Sequence, residues 1–187
     1  MFLKTRLYFS AVVTLGILSL LLWNHFNGGV PSHHILARED LPEISNWWGA
    51  VLLPLLTLFL SYRVEKRLTK QNKVQSPRTN LPKSVIIGFF IALLFGITLS
   101  SFFSFGNTEV PGYMLMGALV TALFFPIYRA ECLLGFVIGM IYTFGAVLPT
   151  GIGSVLALIG AVIHLGVRPM ILFVVSKARN LADYKAK

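Results

Sequence analysis

Hydrophobic positions in this chain fall into long runs separated by short polar stretches, and several runs approach the roughly 20 residues that cross a bilayer as a helix. They extend from Leu7 to Trp23, from about Ile44 or Trp47 to Tyr62, from Val85 to Phe105, from Gly112 to Tyr128, from Leu133 to Leu148 and from Ser154 to Val175. This pattern predicts an all-α fold: a polytopic integral membrane protein, a bundle of about six transmembrane helices. The first run follows Lys4 and Arg6 in the manner of a signal peptide. The residues after it, Asn24 to Gly29, lack a small-x-small cleavage site, so it is read as a retained helix.

Composition sharpens this picture. Hydrophobic residues make up 56% of the 187 positions and charged residues 12%. An ordinary globular domain carries about a quarter charged residues, so a water-soluble enzyme and a disordered chain are both excluded. No polar stretch reaches the roughly 50 residues of a small domain. Residues 1–187 therefore form a single transmembrane domain, with an outer loop at about 24–46 and a basic linker at about 63–84.

Charge then orients the spans. All basic residues except Arg38 and Arg168 fall on one side, at Lys4 and Arg6, from Arg63 to Lys83, at Arg129 and from Lys177 to Lys187. By the positive-inside rule that side is cytoplasmic, so both termini lie inside and the chain belongs in the cytoplasmic (inner or plasma) membrane. The net charge of +9 clusters at segment ends without interleaved stacking aromatics, which argues against nucleic acid as a partner. The expected partner of the linker is the bilayer, whose anionic lipids attract its basic residues. Its polar composition reads as mobile. A single cysteine, Cys132, excludes an internal disulfide and a thiolate metal cluster.

Small residues predict how the helices pack. Gly88, Ala92, Gly96 and Ser100 keep a four-residue spacing on the third run, flanked by Ser84 and Ser104 in the same register. Gly135 and Gly139 repeat the device on the fifth run, and Ala157 and Ala161 continue it from Gly153 on the sixth. Such stripes let membrane helices approach closely.

Two places carry candidate chemistry. Following the stripe from Ala161 leads to His164 and Arg168, so both are expected to face the bundle interior. An arginine within a span is costly and marks a ligand, a partner or a water-filled cavity, although snorkelling to the interface is the alternative. The second place is the outer loop, where His33, His34, Asp40, Glu43 and Asn46 form the densest polar stretch. These are ligand-binding candidates, but adjacent histidines point apart and no metal-ligand spacing fixes a site, so no metal is assigned. Asp40 or Ser45 is placed to cap a helix start, and Trp47 and Trp48 to anchor the outer interface. No motif names a catalytic residue or a cofactor.

In size, span count and the length of its first outer loop, the chain resembles the substrate-binding subunits of energy-coupling vitamin transporters. That resemblance is of architecture; where that family pairs small residues on the first helix, Ala11 is followed four later by Leu15. It implies a small-solute binding or transport component with an outward-facing cavity capped by the outer loop. Two alternatives stay open. One is a noncatalytic assembly subunit that packs its small-residue faces on another membrane protein. The other is a membrane-embedded enzyme using the outer-loop histidines and carboxylates on a lipid headgroup or lipid-linked substrate.

Overall fold

The computed structural model describes residues 2–29, 32–34, 43–72, 81–107 and 109–185. It is a helical bundle. Helix α1 spans Phe2–Phe26, α2 Gly49–Asn72, α3 Lys83–Ser104, α4 Glu109–Thr121, α5 Ala130–Phe144, α6 Val147–Val162 and α7 Arg168–Lys185. A π-helical turn, Ile163–Val167, joins α6 to α7 as one continuous rod. A short antiparallel pair, β1 (Ser32–His34) and β2 (Glu43–Ser45), lies between α1 and α2 and leads into a 3₁₀ turn at Asn46–Trp48. Ser45 caps that turn, its Oγ accepting from the Trp47 amide at 3.3 Å.

Four helical stretches are long and apolar enough to cross a membrane: Leu3–Phe26, Asn46–Lys70, Lys83–Ser104 and Val147–Arg179. Helices α4 and α5 are shorter, at 13 and 15 residues. The sequence places a fourth span as far as Tyr128, but α4 ends at Thr121 and turns occupy the stretch to Arg129. Pro126 accounts for part of this: it has no amide to donate and disfavours helix in the residue before it. Between α5 and α6 the departure runs the other way. Residues Pro149 to Gly153 read as a loop, yet helix resumes at Val147, after Gly145 reverses the chain with φ +67°. Pro149 falls in the first turn, where no backbone donor is needed.

The polar linker also begins later than the sequence indicates. Helix α2 continues through Asn72 because Val64 and Leu68, one turn apart, pack with Val85 of α3. Residues 73–80 lie outside the described residues.

Helices α3 and α5 run parallel in the most extensive pairing of the bundle. A Cβ on Gly96 would stand 2.7 Å from the Phe136 carbonyl oxygen; one on Gly135 would meet the Phe89 carbonyl, and one on Gly139 the Leu93 carbonyl. Glycine is what permits the two backbones to touch. Around this pair, Ile17 and Leu21 of α1, Leu53 of α2 and Val137 of α5 form one core cluster, and Leu99, Phe136 and Met140 form another.

At one end of the bundle Asn46 packs against Gly145 and Phe103 stacks near Phe144, with ring centroids 4.8 Å apart. We call this the loop end. The opposite, basic end holds the ion pairs of Arg6 with Glu65 and of Arg67 with Glu131.

Candidate functional site

A cavity of about 390 Å³ opens between α3, α4, α5 and α6. Its walls are Ile91 and Phe95 of α3, Met114 of α4, Leu133 and Phe136 of α5 and Leu156 of α6, with the small residues Ala92, Gly117, Ala118, Gly153 and Ala157 making the room. Gly117 faces open space: a Cβ built there meets nothing within 4 Å. Thr121 and Cys132 are the polar side chains of the lining. A chamber of this size and surface suits an apolar molecule or chain, since a polar solute would leave its hydrogen bonds unmade.

Below the cavity, toward the basic end, Ile127 closes on Gly160, where a Cβ would stand 2.9 Å from Ile127 Cγ1. Beyond that contact lies a polar node. His164 Nδ1 is 2.8 Å from the carbonyl oxygen of Ala122, and Arg168 Nη1 is 3.0 Å from His164 Nε2. A carbonyl only accepts and a guanidinium only donates. Those roles put the imidazole proton on Nδ1 and the lone pair on Nε2, which describes a neutral histidine. Ala122 follows the last turn of α4, where carbonyls lack partners within the helix, so His164 caps α4 from another element. The Tyr128 ring packs on the same imidazole at 5.7 Å.

Arg168 is half-buried and directed to His164, not enclosed in the bundle. Because α6 begins at Val147 rather than Ser154, Arg168 stands roughly 32 Å from the start of the rod, about the thickness of a hydrocarbon core. Arg168 lies within the apolar-rich stretch Val147–Arg179.

The outer-loop candidates divide. His34 pairs with Glu43 and His33 with Ile44 in the backbone register of β1 and β2. Asp40 lies outside the described residues. Asn46 is buried against Gly145 at the loop end, remote from His164 and Arg168. Among the described residues no group of three or more His, Cys, Asp or Glu is arranged to hold a metal ion. Of the small-residue positions, Gly88 packs near Cys132 and Glu131, Ala92 and Ala157 line the cavity, Ser100 is buried, and Ala161 is half-buried.

Sequence reasoning overlooked the ion pairs of the basic end. Arg67 grips Glu131 with both terminal nitrogens, at 2.8 and 3.1 Å, and Glu131 is only 3% exposed. Arg6 meets Glu65 at 3.2 Å and lies over the Tyr62 ring. The available signal was sign: Glu65 and Glu131 are, with Asp183, the carboxylates on the side of the chain otherwise given to Lys and Arg.

Comparison with family models, curated proteins and solved structures finds no match for this chain.

Proposed function

We propose that the chain is a six-span integral membrane protein of the cytoplasmic membrane that binds a small apolar or amphipathic molecule in the cavity between α3, α4, α5 and α6. The cavity itself carries this reading. It combines about 390 Å³ of space with an almost wholly apolar lining and a wall of small residues on three helices. In this reading the solute sits in this chamber rather than beneath the outer loop. Both termini and the basic end face the cytoplasm in this reading, supported by the charge asymmetry.

The test is to fill the chamber where it is open. Gly117→Leu adds bulk into free space, so the fold should survive with its thermal midpoint in detergent unchanged. Organic extraction and mass spectrometry of purified protein should then find a co-purifying molecule in near-stoichiometric yield from wild type and a strongly reduced yield from Gly117→Leu. Equal yields, or no molecule above bulk detergent and lipid, would reject the binding role.

A second reading, an assembly subunit, is favoured by α7. Met170, Ile171, Leu172, Phe173, Val174 and Val175 are all exposed, and an apolar surface on every side of a helix is suited to lipid or another protein.

A further inference from the structure

A second cavity, about 270 Å³, lies between α1, α2 and α3 at the basic end and plays no part in the reading above. It is a groove with two chemistries. Its inner surface is apolar, formed by Phe9, Leu68, Ile86, Phe89 and Phe90 and closed at depth by Leu134. Along α3 the lining runs from Val85 to Phe90, roughly 8 Å at the helical rise, and Leu81 extends it just before the helix. Arg6 and Glu65 form the other end.

Arg6 is incompletely satisfied there. Its Nη1 donates to Glu65, while its Nε is buried with no acceptor among the described residues. A buried donor without an acceptor is destabilising, and the deficit is removed when the guanidinium rotates to share an anionic oxygen side-on. The chain around it strengthens that preference: exposed Lys4, Arg63, Lys66 and Lys83 lie within two residues of lining positions, whereas Glu65 is the carboxylate of the lining.

We propose that this groove is a binding site for an anionic phospholipid, with one acyl chain against Phe89 and Phe90 and the phosphate at Arg6. The inference rests on the chain residing in a bilayer, and is independent of the α3 to α6 cavity. A phospholipid fits both chemistries at once: its chain replaces the apolar contacts a water-filled groove would forfeit, and its phosphate supplies the acceptor that Nε lacks. The leaflet around the basic end is its source.

Native mass spectrometry in a non-ionic detergent, titrating dioleoyl phosphatidylglycerol or dioleoyl phosphatidylcholine, tests this. Wild type should bind one phosphatidylglycerol about five-fold or more tightly than phosphatidylcholine, the scale set by one or two basic groups near an anionic phosphate. In Arg6→Gln/Glu65→Gln, which removes the pair without stranding a charge, the preference should fall to near unity while a folded protein is retained. Ser61→Phe, which fills the groove and leaves every charge in place, should weaken both lipids together. Equal affinity for the two lipids in wild type overturns the proposal, as does a preference that persists in the double variant, because it would then belong to the general basic surface. Unaltered binding by folded Ser61→Phe would equally place the lipid elsewhere.

Discussion

Glu131 sits in the first turn of α5 with both oxygens engaged by Arg67 of α2, so one side-chain pair ties two helices together where the bundle meets its basic loops. The carboxylate is almost fully desolvated, whereas Arg67 keeps 28% of its side-chain surface exposed. Removing one member should therefore cost less than the 3–5 kcal/mol typical of a fully buried pair, and Glu131→Gln is expected to destabilise by about 1–3 kcal/mol. The double replacement Arg67→Met/Glu131→Leu should recover much of that loss. Thermal unfolding in detergent of both single variants and the double decides the matter, and single losses that simply add in the double variant would mean that the pair contributes nothing as a unit. Residues of this kind are hard to read in a sequence. Arg67 looks like one more topological charge among its neighbours, and nothing local reveals that Glu131, 64 positions later, faces it. His164 and Arg168 show the complementary case: their one-turn spacing is plain in the chain, but the partner that fixes the imidazole is the carbonyl of Ala122 on another element.

At the scale of the element, α3 and α5 depend on glycine at their crossing. Gly139→Ala should destabilise by about 1–3 kcal/mol, because the methyl must push against the Leu93 backbone, which cannot yield as a flexible side chain would. Leu94→Ala, at a side chain that is itself 61% exposed, should change stability by much less. Similar losses from both would show that the helices do not meet at Gly139. The four-residue spacing of Gly88, Ala92, Gly96 and Ser100 is visible without coordinates, but which helix it meets is not. Helix ends were less legible. The stretch from Pro149 to Gly153 has the residues of a loop, and yet a proline in a first turn and a glycine pressed on the Leu133 and Phe136 side chains are both compatible with helix. In α4 the reverse error arises, since apolar character continues past Thr121 after helical geometry has stopped.

For the whole molecule, the proposed orientation predicts which surfaces meet which solution. Single cysteines at Lys70 and Phe105, both exposed at opposite ends of the bundle, should differ in intact cells: an impermeant thiol reagent should label Phe105→Cys and reach Lys70→Cys only after the membrane is opened. Cys132 is replaced by Ala in both backgrounds. Labelling of Lys70→Cys in intact cells would invert the topology.

The unequal lengths of the helices have a consequence for the lipid around them. Helices α4 and α5, at 13 and 15 residues, rise only about 20 and 22 Å, whereas a hydrocarbon core is about 30 Å thick. The rod formed by α6 and α7 has the opposite excess, with 33 apolar-rich residues from Val147 to Arg179. In the proposed six-span arrangement, lipid touching both α4 and the rod would therefore change thickness over the width of one small protein, compressed beside the short helix and stretched or tilted against the long rod. So arranged, the protein would be a wedge in thickness, drawn to thin regions on one flank and able to thin them further.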